Sequence, residues 1–242
     1  KVMKFKPLIF IIIFPLVGCT SSNRYTYDGA DTYTKYEEPV GIVVMDANIS
    51  SLKVDWVSGS INIIEGTEFI IEEENVSGYN YLPLYYRMNG LDVEIKYCKS
   101  GSYIANTKKN LKVTIPYALS NIVLNTVSAN YSLDVKGLPL INVDTVSGDG
   151  DIKTDSLRNF NLNSVSGDLK LDVKSSLIIE SIDIDTVSGN ASLYFDGLRG
   201  YNLDFDSVSG KLHKDFEEGE ESSFDKFFID FDSVSGNLDI YR

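Results

Sequence analysis

Histidine and cysteine are nearly missing from this chain: its 242 residues include one His and two Cys. No Cys/His spacing of a metal centre can be drawn from so few, and no disulfide framework can staple the fold. There is no glycine-rich phosphate loop and no serine in a strand-to-helix elbow. No stretch has a helical period, and the one long apolar run, Leu8 to Val17, is broken by Pro15 and is short for a membrane span. Basic residues are scarce as well. The 22 Lys and Arg against 35 Asp and Glu leave a net charge of −13, which argues against nucleic acid or an anionic bilayer surface as a partner.

What the chain does have is a repeat. Val165-Ser166-Gly167 returns as Val57-Ser58-Gly59, Val146-Ser147-Gly148, Val187-Ser188-Gly189, Val208-Ser209-Gly210 and Val234-Ser235-Gly236, with a variant at Val127-Ser128-Ala129. Five and three places before each valine from Val127 onward stand Ile122/Leu124, Ile141/Val143, Phe160/Leu162, Ile182/Ile184, Leu203/Phe205 and Ile229/Phe231. Polar residues lie between and after them, Asn142/Asp144, Asn161/Asn163, Asp183/Asp185, Asp204/Asp206 and Asp230/Asp232, so apolar and polar side chains fall on opposite faces of a strand. The alternation resumes after the glycine with Leu133/Val135, Leu169/Leu171/Val173, Leu193/Phe195 and Leu238/Ile240. Each unit is two short strands joined at Ser-Gly.

From Val127 the valines step by 19, 19, 22, 21 and 26 residues. A two-strand unit of that size cannot bury its apolar face alone and needs stacked neighbours. The expected fold is all-β: a single-domain β-solenoid, a right-handed parallel β-helix with coils of about twenty residues. The competing reading makes Ser-Gly a hairpin tip in an antiparallel meander or sandwich. Like residues at like positions in every copy favour the solenoid, where each stacks on its counterpart. The glycine is expected to serve a backbone angle such as φ > 0, although Ala129 shows that one copy manages without it. Val76-Ser77-Gly78 lacks the flanking pattern and reads as a chance match.

The start has the layout of an export signal: Lys1, Lys4 and Lys6, the apolar run, then Leu16-Val17-Gly18-Cys19. This looks like a bacterial lipobox, in which the Cys19 thiol carries the lipid; an ordinary secretory signal is the alternative. Residues 1–18 are therefore read as a lipoprotein signal peptide, 19–39 as the lipidated cysteine and a tether, and 40–242 as the solenoid domain. Tyr25, Tyr27, Tyr33 and Tyr36 are read as covering the open end of a sheet or as first-strand residues, with a sticky or carbohydrate-facing surface as the alternative. Between Val57 and Val127 the spacing suggests three or four degenerate coils, with loops at residues 79–89 and 100–110.

The series LKVTIPYALSNIVLNTVSANYSLDVKGL, followed by DTVSGDGDIKTDSL and NSVSGDLKLDV, resembles the bacterial putative-adhesin family, a domain of unknown function built from β-solenoid coils. The resemblance covers nearly all of residues 40–242. It implies the solenoid fold, and it brings no catalytic residues to carry over.

His213 falls at an outward position aligned with Lys170, Ser192 and Asp239, and reads as a solvated surface residue. The repeated serines read as part of the repeat, since a nucleophile is not needed in every copy. Cys98 is the one thiol left in the domain once Cys19 is lipidated. Residues 181–242 hold 14 Asp or Glu against 5 Lys or Arg, including the run DFEEGEE from Asp215. Stacked coils would align Asp183, Asp204 and Asp230 in one column and Asp185, Asp206 and Asp232 in the next. Salt screens such like charges, or calcium bridges them; the glycine-rich nonapeptide of calcium-binding solenoids is absent. No other cofactor is expected.

The expected function is a lipid-anchored protein of the bacterial envelope whose solenoid, without enzymatic activity, contacts another protein or a glycan. The alternatives are an envelope-stress sensing accessory and, further off, a polysaccharide-active β-helix enzyme. A last coil that ends at Tyr241-Arg242 without a recognisable cap suggests open strand edges and end-to-end self-association.

Overall fold

The computed structural model describes residues 34–35, 42–45, 49–74, 83–98, 108–116, 119–196, 200–215 and 226–242. Among them are sixteen strands and no helix. The first half contains β1 (Thr34–Lys35), β2 (Ile42–Met45), β3 (Ser51–Glu65), β4 (Phe69–Glu74), β5 (Tyr85–Asn89), β6 (Asp92–Lys96), β7 (Lys109–Ile115) and β8 (Asn121–Thr145). The second contains β9 (Gly150–Ser164), β10 (Leu169–Ser175), β11 (Ser181–Thr186), β12 (Ala191–Phe195), β13 (Tyr201–Ser207), β14 (Leu212–Lys214), β15 (Phe227–Ser233) and β16 (Leu238–Tyr241).

The coils stack in parallel and in register, as the repeat predicts. Ile182 sits beside Phe160 on one side and Ile229 on the other, and Ile229 beside Leu203. Leu171 sits beside Ile152 and Leu193. The strand before each Val-Ser-Gly corner joins one row and the strand after it joins a second, with the apolar positions of both facing inward. Ile141, Phe160, Ile182, Leu171, Leu193 and Ile240 are all fully buried. Removing side chains of this kind from water contributes about 1.5–3 kcal/mol each, which is the source of the core.

Two departures concern order. β11 and β12 do not pair with β13 and β14, the next strands in the chain, but with β15 and β16, which in turn pair with β13 and β14. The last coil of the sequence is thus second to last in space, and coil 201–214 is outermost. The other end mirrors this: β3 lies between β8 and the rung formed by β6 and β7, so a later segment again lies outside an earlier one. The open end expected at Tyr241-Arg242 is therefore displaced to β13 and β14.

Among the described residues, the interval between Val57 and Val127 does not form the three or four coils expected. Its described residues form one parallel rung, β6 and β7, and two antiparallel strands that finish the rows: β4 pairs with β7 and β2, and β5 with β6 and β1. Residues 85–89, expected in a loop, are strand β5.

The corners correct the expected role of the glycine. Of the repeat glycines only Gly59 has a positive φ, +105°. The others are needed for close approach: a Cβ on Gly148, Gly167, Gly189, Gly210 or Gly236 would lie 1.9–2.2 Å from the carbonyl oxygen of the matching residue one coil away. Before Val146, Val165, Val187 and Val208 stands a hydroxyl that accepts the glycine N–H three places on. These bonds are Gly148 N–H to Thr145 Oγ1 (2.9 Å), Gly167 to Ser164 Oγ (3.0 Å), Gly189 to Thr186 Oγ1 (2.9 Å) and Gly210 to Ser207 Oγ (2.8 Å). The corner serines Ser128, Ser147, Ser166, Ser188 and Ser209 donate to the valine carbonyl of the neighbouring coil, as Ser147 does to Val127 and Ser188 to Val165. That is the repeat-structural role expected of it.

Candidate functional surface

Strand alternation turns every second residue of the first row outward, and the parallel register lines these residues up across coils. One column reads Asn142, Asn161, Asp183, Asp230, Asp204, and the next Asp144, Asn163, Asp185, Asp232, Asp206. The six aspartates expected to stack are therefore brought together, with the order changed so that Asp230 and Asp232 are the central pair. Asp183, Asp185 and Asp204 are exposed; Asp206, Asp230 and Asp232 are half-buried. One step along the strands, the same face carries Ser181, Phe228 and Asn202 in register, and the Phe228 ring is 60% exposed. The result is three rungs by three positions: six carboxylates below one outward aromatic ring.

Amides occupy the same columns earlier in the stack and bond from coil to coil. Asn161 and Asn142 are 2.6 Å apart, and Asn163 Nδ2 donates to Asp144 Oδ1 at 2.7 Å. At the far end of the row the charges are mixed and paired, with Arg87 on Glu94 at 2.8 Å and Lys53 4.0 Å from Asp55. Among the described residues no group of three or more His, Cys, Asp or Glu side chains converges to hold a metal ion.

On the outward side of the second row, His213 stands in register with Asp239, which follows Ser192 and Lys170, in the column assigned to it from the sequence. Its Nε2 is 2.8 Å from Asp215 Oδ1 and both side chains are exposed. The neighbouring column stacks Tyr194 on Tyr241, with centroids 4.7 Å apart; Lys170 lies over the Tyr194 ring and His213 lies 6.0 Å from that of Tyr241. The two rings cover one face of each other, and both side chains are half-buried. Cys98 is half-buried against the core and forms no disulfide among the described residues. Cys19 and the tether tyrosines lie outside the described side chains, as do residues 216–221 of the acidic run.

One buried polar group was not foreseen. Lys109 of β7 is fully buried, with Nζ 2.6 Å from Glu73 Oε1 and donating to the Tyr97 carbonyl. It sits 4.5 Å from the ring centroid of Tyr97 and 5.1 Å from that of Trp56, whose Nε1 donates to the Lys109 carbonyl at 3.0 Å. Trp56 stands where later coils have the corner hydroxyl, so the hydroxyl column ends here and this pair closes the row. Burial pulls the lysine down to a pKa of about 7. Its access to solvent is nil, so it acts as a structural lock and offers no surface to a ligand. Burial likewise raises the Tyr131 hydroxyl.

Parallel two-strand coils in strict register, closed by antiparallel strands at one end, define a β-solenoid repeat protein. The family model described as Toastrack DUF4097 matches residues 45–227, and the chain belongs to that family, the putative-adhesin family of unknown function that its repeats resemble. Among solved structures, a putative cell adhesion protein from Clostridium sporogenes is similar at 12% identity over 86% of this chain and 99% of that chain, with a TM-score of 0.45. A putative adhesin from Bacteroides fragilis is similar at 9% identity over 83% of this chain and 97% of that one, with a TM-score of 0.30. No curated protein matches the sequence.

Proposed function

We propose that this is an exported, adhesin-like binding module without catalytic activity, held at a bacterial membrane by lipid on Cys19. Its binding face is the outward side of β11, β15 and β13. The observation that carries this reading is the exposed Phe228 ring beside six in-register aspartates. An unpaired aromatic on a flat acidic sheet complements an extended protein segment with an apolar residue and basic residues beyond it, since the ring supplies contact area and the carboxylates supply steering and orientation. The partner is accordingly an envelope protein. A glycan is less well served, because Tyr194 and Tyr241 stack on each other and Lys170 lies over the Tyr194 ring. A hydrolytic β-helix would need Lys or Arg set among the acids, and the register partners of the six aspartates on this face are Asp and Asn.

The test is chemical cross-linking in intact cells that express wild type, Phe228→Ser or Asp230→Lys. The same protein adduct should form with wild type and fall at least tenfold with either variant, neither of which should lower the melting midpoint. An adduct indifferent to both substitutions would refute this face.

A further inference from the structure

The outermost rung, 201–214, differs from every other coil in a coordinated way. After the corner glycine the inner coils carry an amide or carboxylate whose oxygen accepts the backbone N–H of the next coil. The series runs Asn130 to Asp149 (3.1 Å), Asp149 to Asp168 (3.0 Å), Asp168 to Asn190 (2.8 Å), Asn190 to Asn237 (3.0 Å) and Asn237 to Lys211 (2.8 Å). At Lys211 it stops, because a lysine ammonium is donor-only and offers an incoming N–H nothing to bond. β14 has three residues and pairs only with β16 among the described strands. Lys214 takes the register position of the buried Ile240, so a charge stands in an inward column. Leu203 and Phe205 are only partly buried and Leu212 is 37% exposed, where their counterparts Ile229, Phe231 and Leu238 are fully buried.

We propose that rung 201–214 is a built-in cap that stops the stack and keeps a second copy from adding to it. A short edge strand, an inward lysine and edge charges are the devices by which sheets avoid edge-to-edge pairing. The interrupted acceptor series adds a specific one: the last coil accepts a coil on its inner side and refuses one on its outer side. The swapped chain order follows from this, since the coil that carries Lys211 and Lys214 must lie outside the coil that carries Asn237. End-to-end growth through this edge is thereby blocked, and the module works through its lateral faces.

The test uses the chain from Arg24 onward, which retains every described strand. In sedimentation, wild type should remain a single species from micromolar to submillimolar concentration. Lys211→Asn/Lys214→Ile restores the acceptor and the inward apolar residue, and should self-associate over that range. A second measurement does not depend on association: Lys211→Asn should leave the melting midpoint unchanged, whereas Asn190→Lys, the same exchange reversed inside the stack, should lower it by several degrees. Self-association of wild type, a monomeric double variant, or equal effects of the two single substitutions would overturn the cap.

Discussion

Gly167 and Gly90 put glycine to opposite uses. A Cβ on Gly167 would lie 2.0 Å from the Gly148 carbonyl oxygen, whereas one on Gly90 would meet nothing within 4 Å and only the strain of φ +64°. Gly167→Ala should cost about 3 kcal/mol through forced separation of two coils, and Gly90→Ala about 1 kcal/mol through its backbone angle alone. Urea denaturation of both variants measures the difference. The Lys109–Glu73 pair makes a prediction about pH. The folded-state pKa of Lys109, about 7, is below the 10.5 of a solvated lysine, so between these values the unfolded chain binds a proton that the native state refuses. Stability should therefore rise with pH from about 7 toward 10. Lys109→Met/Glu73→Leu should fold, because an apolar replacement of a buried ion pair is tolerated, and should lose most of that rise. Lys96, also held low by burial, supplies the remainder. A double variant that keeps the full slope would contradict the assignment.

The strands test the electrostatics of the acidic face. Asp230 lies between Asp183 and Asp204, where earlier coils have Asn142 and Asn161. Asp230→Asn should stabilise the fold by about 0.5 kcal/mol through relief of like-charge neighbours. It should also reduce the gain in midpoint that added sodium chloride gives wild type, since salt screens the same repulsion. An unchanged midpoint and salt dependence would show that the column is already neutralised. This face was legible in the sequence because period two and a constant offset from the valine place both columns without knowledge of order. The corner hydroxyls Thr145, Ser164 and Thr186 stand in the same alignment, one place before the valine, but a hydroxyl there does not by itself signal a bond to the glycine N–H three places on. Lys109 was not legible at all: its partners Glu73, Tyr97 and Trp56 come from three separate segments, and a lysine in an otherwise ordinary strand pattern reads as outward.

For the molecule as a whole, the chief thing hidden from the sequence was the order of the coils. Each repeat satisfies the same inward and outward pattern, so periodicity fixes what a coil looks like and says nothing about which neighbour it chooses. Only Lys211 and Lys214, where other copies have an amide or carboxylate and an apolar residue, mark the outermost rung. The membrane end of the account is tested by Cys19→Ala, which should move the protein from the membrane fraction to the soluble one. Retention in the membrane would show that another segment anchors it.

The face around Phe228 is the proposed seat of the partner. A photo-reactive phenylalanine analogue at position 228, in the membrane-anchored chain in living cells, tests it most directly when compared with the same analogue at Lys153 on the second row. One discrete protein adduct should form from position 228, abolished by Asp183→Lys/Asp230→Lys, and none from position 153. Equal adducts from both positions, or none from position 228 in a folded, membrane-anchored protein, would contradict it.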